Sequence, residues 1–239
     1  ILDIKSKGPA SMTKSDGSPV TIADQKAENI LLTALAELCP DVPVVSEENT
    51  DSHHLSTGQR FFLVDPLDGT KEFIKTDDNG AFTVNIGLIE SGLPVMGMVY
   101  APARNAFFWG YRGGGAFCRV TTRITPVTVR TVPDNGAVAV ASASHLDAAT
   151  TNWLADHQIN QTTSIGSSLK FALVASGQAD VYPRFGPTME WDTAAGDAIL
   201  RAAGGMVFHP DGEIYRYGKQ DYRNTPFIAY GQLTSSTNA

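Results

Sequence analysis

The sequence predicts an α+β protein, on three observations. A short apolar run, Phe61-Phe62-Leu63-Val64, passes abruptly into the acidic stretch Asp65-Pro66-Leu67-Asp68-Gly69-Thr70 and then a helix start. Strands joined by tight turns follow from Ala81 to Val129, with turn residues at Ser91-Gly92 and Pro102-Ala103-Arg104. From Asp134 onward, strands alternate with helices.

The chain has 239 residues, enough for one large domain or two closely packed smaller ones. The change of pattern near Val132 divides an N-terminal half, 1–132, from a C-terminal half, 133–239. A composition of 42% hydrophobic and 18% charged residues belongs to a folded chain, not a disordered one. The net charge of −7 argues against a nucleic-acid polymer as partner. The two cysteines, Cys39 and Cys118, lack metal-site spacing, and a reducing cytoplasmic setting is the simplest reading. No run approaches the ~20 apolar residues of a transmembrane segment, and no signal peptide is visible. Peripheral association with the inner membrane face stays open. The start at Ile1-Leu-Asp-Ile lacks a methionine and reads as an internal start.

Taken in order, Lys5 to Pro19 is polar and reads as a loop or hairpin. A helix follows, with Ala27, Ile30, Leu31, Ala34, Leu35 and Leu38 expected on one apolar face. Thr21 and Asp24 have the spacing of a capping box, which is the plainer reading of Asp24; the functional one turns it toward the acidic stretch. Val42 to Ser46 is a short strand that ends in Glu47-Glu48. Asp51 to Gly58, with His53 and His54, reads as an exposed loop. In the acidic stretch, Pro66 removes an amide donor and Gly69 permits a backbone conformation that a side chain blocks. Phe73 to Gly80 is a short helix and loop. The three glycines 113–115 read as a hairpin turn, since no helix pattern follows them.

In the second half, Val138 to Ala141 is a strand and His145 to His157 a helix. Ser164-Ile-Gly166-Ser-Ser168 is a strand-to-helix junction, with Leu169 to Ser176 the helix. Ala179 to Pro183 is a strand. Trp191 to Gly205 is a small-residue helix with a glycine stop, and Asp192 stands at its N-terminal end, a common place for a cap.

Asp24, Glu47, Asp65, Asp68 and Asp192 each stand at the boundary of a regular element. Gathered in one pocket without counter-ions, they would repel one another. Hard divalent cations remove that conflict, and a set made only of oxygens favours magnesium or manganese over zinc.

Ser46-Glu47-Glu48, Asp65-Pro-Leu-Asp68-Gly-Thr70 and Trp191-Asp192-Thr-Ala-Ala-Gly196, in that order, resemble the inositol monophosphatase superfamily. Asp68-Gly-Thr-Lys-Glu-Phe73, Gly166-Ser-Ser-Leu-Lys170-Phe and Tyr182-Pro-Arg-Phe-Gly-Pro187 resemble its CysQ-type 3'(2'),5'-bisphosphate nucleotidase branch. The resemblance runs from about Asp16 to Gly205 and implies a layered α-β-α-β-α sandwich. It implies Glu47, Asp65, Asp68, Asp192 and the carbonyl of Leu67 as ligands for two or three Mg2+ ions, with Mn2+ as a substitute. Asp24 and Thr70 would activate the attacking water, and the amides of Gly69 and Thr70 would hold phosphate. Ser142, His145, Gly166 and Lys170 would contact the substrate. The plainer readings are a helix start for His145 and a solvated helix face for Lys170.

The implied reaction is lithium-sensitive removal of the 3'-phosphate of 3'-phosphoadenosine 5'-phosphate, a small-molecule bisphosphate nucleotide, by a monomer or homodimer. Competing readings are an inositol monophosphatase, a fructose-1,6-bisphosphatase and a non-catalytic regulator on the same fold. Asp197 departs from the histidine the resemblance leads one to expect, and reads as a change on the helix face. A first helix is expected to pack on the helix ending at Leu38.

Overall fold

The structure, a computed structural model, describes residues 1–8, 11–14, 17, 19–75, 80–141 and 147–232. The first half comprises α1 (Leu2–Lys5), β1 (Ser11–Thr13), β2 (Pro19–Thr21), α2 (Ile22–Leu38), β3 (Val44–Ser46), β4 (Arg60–Asp68), α3 (Thr70–Ile74), β5 (Thr83–Glu90), β6 (Leu93–Ala101), β7 (Ala106–Tyr111), β8 (Gly115–Val120) and β9 (Arg123–Val127). The second half comprises β10 (Val138–Ala141), α4 (Ala148–Asp156), β11 (Gln161–Ser164), α5 (Leu169–Ala175), β12 (Val181–Arg184), α6 (Glu190–Ala202), β13 (Met206–Phe208) and β14 (Phe227–Tyr230).

β3 to β9 form a seven-stranded sheet in sequence order. Every pair in it is antiparallel except β3 with β4, which run parallel. The second sheet has five strands in the order β11-β10-β12-β14-β13. Alternation along the strands explains the layers. In β4, Phe62 and Val64 pack with Leu35 of α2, while Phe61 and Leu63 face the main core with Ile199 of α6. In the smaller sheet, Val140 and Tyr182 join α5 in the main core, while Ala139, Val181 and Ile228 meet Leu154 of α4. The layers are therefore α2, large sheet, α5 with α6, small sheet, α4. This is the expected α-β-α-β-α sandwich, and α6 lends the second half's residues to the first half's core.

The small residues of α6 have a packing cause. Gly87, Gly97 and Gly110 lie in register across β5, β6 and β7. A Cβ on Gly97 would run into the carbonyl of Ala195, and one on Gly87 would sit 2.8 Å from Ala194 Cβ. The helix backbone thus lies directly on the sheet, which fixes where its first turn, with Asp192, stands.

Several expectations change. β4 does not stop before the acids: it runs on to Asp68, with a register shift between Asp65 and Asp68. On α2, Ile30 and Leu38 are 69% and 78% exposed. Ala27, Leu31 and Leu35 carry the packed face; Ile30 lies roughly 60° round from Ala27 at 100° per residue, and Leu38 is the last helical residue. The 51–58 loop holds a short 3-10 turn, Thr50–His54, whose His53 ring stacks on Trp191 at 4.8 Å. Asp197 is not on an exposed helix face. It is fully buried and ion-paired, Arg201 Nε to Oδ1 at 2.7 Å, and its Oδ2 accepts from Tyr217 at 3.0 Å. β13 and β14 complete the small sheet from a region whose strands the sequence reading did not place.

Candidate active site

The acids come together where strand ends meet helix starts. Asp65 and Asp68 lie opposite Asn85 and Thr83 of β5, and the shift between them places Pro66 and Leu67 as the extra residues. Asp65 Oδ1 accepts from Leu67 N at 2.9 Å. Gly69 has φ +89°, and a Cβ there would sit 3.0 Å from the carbonyl oxygen of Ala81, so both conformation and space require glycine. α3 starts at Thr70.

Both readings of Asp24 hold at once. Thr21 Oγ1 accepts from Ala23 N at 3.0 Å, and Asp24 Oδ2 accepts from Thr21 N at 2.8 Å, which caps α2. The other oxygen, Oδ1, lies 3.1 Å from Thr70 Oγ1, which is also 3.1 Å from the carbonyl of Leu67. The single hydroxyl proton serves one of these acceptors at a time. Asp192 likewise caps α6, its Oδ2 accepting from Met189 N at 2.8 Å.

A cleft of ≈610 Å³ joins these pieces, within the size range of small-ligand sites. Glu47, Asp68, Gly69, Thr70 and Asp192 line one end, and Gly166, Lys170 and Arg184 also line it. Asp24 and Asp65 are buried behind the lining. Ser142 and His145 lie outside the described residues.

Electrostatics set the acid end apart. Burial pushes the Asp65 carboxyl well above its ordinary value, reinforced by Glu47, Asp68 and Asp192. Burial does the same to Asp192, with Asp68 and Glu47 adding to it. Asp68 is raised by burial, but Lys170 and Ser168 hold it back. Glu48 is pushed up to about 7 by burial, against the pull of Lys14. Lys14 Nζ bridges Glu47 and Glu48 at 2.8 and 2.6 Å. Burial lowers the Lys14 ammonium, but the two glutamates more than reverse this and hold it above its ordinary value.

The donor chemistry fits a hard divalent ion. Asp65, Asp68 and Asp192 each spend one carboxylate oxygen on a backbone amide, and the other makes no hydrogen bond to a described residue. Asp65 Oδ2, Asp68 Oδ1 and Asp192 Oδ1 are therefore free to bind a cation. Among the described residues, no three side chains already stand as a closed ligand cluster. Glu47 spends Oε1 on Lys14, and its Oε2 makes no hydrogen bond to a described residue.

Beside the acids, Ser168 ties the halves together. Its N and Oγ lie 2.7 and 3.1 Å from Asp68 Oδ2, and Oγ lies 2.8 Å from the carbonyl of Asp192. Gly166 sits so near Ala81 that a Cβ would lie 3.0 Å from its carbonyl oxygen. Lys170 is not on a solvated face: it is 7% exposed and donates to the Ser167 carbonyl at 2.7 Å. Burial lowers its pKa to about 8, with Asp68 opposing and the nearby Arg184 adding to the drop.

The sequence reading missed Lys14, Ser168, Arg184 and Arg223 as cleft or near-cleft residues. Arg184 stood inside a stretch quoted for its resemblance, two residues after Tyr182, and a basic residue there was a usable signal. Lys14 and Arg223 sit in polar segments with no local pattern that marks them.

The fold and the cleft together suit a phosphatase, with carboxylates and the cations Lys170 and Arg184 lining one cavity. The inositol monophosphatase family model matches residues 2–238, and the chain belongs to that family. It is 49% identical over 207 residues to the 3'(2'),5'-bisphosphate nucleotidase CysQ of Salmonella typhimurium, covering 85% of this chain and 81% of that protein. It is 48% identical over 209 residues to the CysQ of Escherichia coli K12, covering 86% and 82%. The crystal structure of CysQ from Bacteroides thetaiotaomicron superposes with a TM-score of 0.81 at 40% identity, over 92% of this chain and 88% of that one. An IMPase/NADP phosphatase complexed with Mg2+ and phosphate shares the fold, with a TM-score of 0.78 at 20% identity over 99% and 86% of the two chains.

Proposed function

We propose that this chain is a magnesium-dependent 3'(2'),5'-bisphosphate nucleotidase that hydrolyses 3'-phosphoadenosine 5'-phosphate to AMP and phosphate. One observation carries this reading beyond family membership: a single cleft sets buried, mutually repelling carboxylates at one end and the cations Lys170 and Arg184 in its wall. A substrate with one phosphate to cleave and one to hold suits that polarity. The nucleotidase names of the relatives at 48–49% identity support the same reading.

Glu47, Asp65, Asp68, Asp192 and the Leu67 carbonyl would hold two or three Mg2+ ions, with Mn2+ as a substitute. Bound there, the ions supply positive charge for the attacking water and the phosphoryl oxygens. Thr70 orients that water through its hydroxyl, and Asp24 Oδ1, 3.1 Å from that hydroxyl, accepts the proton. The amides of Gly69 and Thr70 hold phosphate oxygens. The water oxygen bonds to phosphorus as the bond to the ribose 3'-oxygen breaks, and that oxygen takes a proton from solvent and leaves as the alcohol. Gly166 lets the substrate approach the backbone closely, and Lys170 with Arg184 holds the uncleaved phosphate. Ser142 and His145 complete the nucleotide contacts in this reading. Among the described residues no helix is long and apolar enough to cross a membrane, and the proposed setting is the cytoplasm, as a monomer or homodimer.

Phosphate release from 3'-phosphoadenosine 5'-phosphate, inositol 1-phosphate and fructose 1,6-bisphosphate tests this. The nucleotide is expected to be the fastest substrate, with activity lost without Mg2+ and inhibited by lithium. Faster release from inositol 1-phosphate overturns the assignment.

A further inference from the structure

Glu47 belongs to the first half of the chain and Asp192 to the second, yet the charge of Glu47 reaches Asp192. To share in binding a small, hard ion, the two carboxylates need a fixed spacing. The residue before Glu47 is held on every side. Ser46, the last residue of β3, is fully buried. Its N–H donates to Ser52 Oγ at 3.0 Å, and its hydroxyl donates to Glu28 Oε1 at 2.5 Å. Its carbonyl accepts from His53 Nε2 at 2.8 Å. Glu47 N then donates to the carbonyl of Val64, the residue before Asp65, at 3.1 Å.

The same His53 ring lies on Trp191, with centroids 4.8 Å apart and planes inclined by 22°. Trp191 is buried in the main core and stands directly before Asp192 in the first turn of α6. Tyr222 packs near both rings, at 6.3 Å from His53 and 6.1 Å from Trp191. His53 therefore touches the residue before each of two proposed ligands, one by a hydrogen bond and the other by a stack.

An imidazole suits both tasks. Its edge gives a directional donor and its face a flat apolar contact. A carbonyl only accepts, so the Nε2 that meets Ser46 carries the ring proton. The 3-10 turn that carries His53 is pinned as well: Ser52 Oγ donates to the Asn49 carbonyl at 2.5 Å, and Leu55 N donates to the Ser52 carbonyl at 3.2 Å. The next residue, His54, is exposed.

We propose that His53 is a positioning residue for the metal site, setting the separation of Glu47 and Asp192 through the Ser46 carbonyl and the Trp191 ring. It touches neither ion nor substrate. This inference rests on the reading above in which these two acids hold Mg2+. Without His53, the end of β3 and the start of α6 keep their own packing but lose this link between them.

Isothermal titration calorimetry of substrate-free protein with Mg2+ and with Ca2+ tests this, on wild type, His53→Ala, His53→Gln and His53→Phe, with His54→Ala as the control. For His53→Ala the Mg2+ dissociation constant is expected to rise about tenfold. The Ca2+ constant should rise less than about threefold, since Mg2+ demands near-ideal octahedral geometry and Ca2+ accepts a looser shell. His53→Gln keeps a donor and His53→Phe keeps a ring, so each should fall between His53→Ala and wild type. At saturating Mg2+, kcat and the KM for 3'-phosphoadenosine 5'-phosphate should stay within about twofold of wild type. Equal weakening of both ions, or a fall in kcat that saturating Mg2+ does not restore, overturns the proposal in favour of a merely structural role. So does Mg2+ affinity within about twofold of wild type in the folded variants; if His53→Ala does not fold, His53→Gln and His53→Phe decide the matter. Wild-type protein that binds no Mg2+ overturns the metal-ligand reading and this proposal with it. Wild-type protein that binds Mg2+ but releases phosphate fastest from inositol 1-phosphate overturns the nucleotidase reading alone.

Discussion

Two sets of buried carboxylates in this molecule are held in opposite ways. Glu190, Asp197 and Asp180 each have their own cation: Lys219 at 2.7 Å, Arg201 at 2.7 Å and Arg130 at 2.8 Å. Backbone amides complete the first of them, Gly218 N and Lys219 N donating to Glu190 at 2.8 and 2.9 Å. Asp65 and Asp192, by contrast, are raised by burial and then by other acids. The first set is neutralised from within, and two of its members, Glu190 and Asp197, brace α6 against the 215–219 segment. The second set has only backbone amides as hydrogen-bond partners among the described residues, and in the proposed mechanism Mg2+ neutralises it. Burial alone therefore does not mark a functional acid; burial without a matching cation does.

The comparison breaks most sharply at Asp68. Asp68→Asn should lower kcat/KM about a thousandfold or more, since in the proposed mechanism it removes a charged ligand for the ion, while melting temperature holds or rises. Equal turnover by the two proteins would move this chain to the non-catalytic reading. Arg201→Met should do the reverse. Stranding Asp197 should cost about 3–5 kcal/mol in urea unfolding, while folded protein keeps its kcat. Thr70→Ala should reduce kcat about a hundredfold with KM little changed, and Thr70→Ser should restore most of it.

The acid end also makes stability depend on pH. Asp65 and Asp192 have folded pKa values above their unfolded ones, so their contribution is present at low pH and lost as pH rises through the folded values. Metal-free protein should melt at lower temperature at about pH 8 than at about pH 5, and Mg2+ should stabilise it more at the higher pH. A larger Mg2+ effect at low pH would contradict this picture. The smallest effect belongs to a cap: Thr21→Ala should cost about 1 kcal/mol by thermal unfolding.

The buried apolar run Phe61 to Val64 of β4, the capping box of Thr21 and Asp24, and the strand-to-helix junction at Gly166 were legible locally, because each rests on neighbours in sequence. The exposure of Ile30 was not, because helical spacing says which residues share a face but not how wide a face the sheet covers. Lys170 reads as a surface lysine until α5 is placed between two sheets. Asp197 reads as a helix-face change until Arg201 and Tyr217 close on it.

By itself, the sequence determined the order of acids at element boundaries, the turn that Pro66 and Gly69 permit, and the oxygen-only chemistry of the site. These depend on residue type and short spacing. Only the tertiary structure decided which acids stay unpaired, because a counter-ion is chosen across the fold: Arg201 for Asp197, Lys14 for Glu47, and, among the described residues, no cation in hydrogen-bond contact with Asp65. It also decided where Asp192 stands, because Gly87, Gly97 and Gly110 come into register only when three strands pair, and that lane lets α6 lie on the sheet. Arg223 became visible for the same reason. Its neighbours are anchored to a helix start more than thirty residues earlier, at Thr188, Met189 and Thr193.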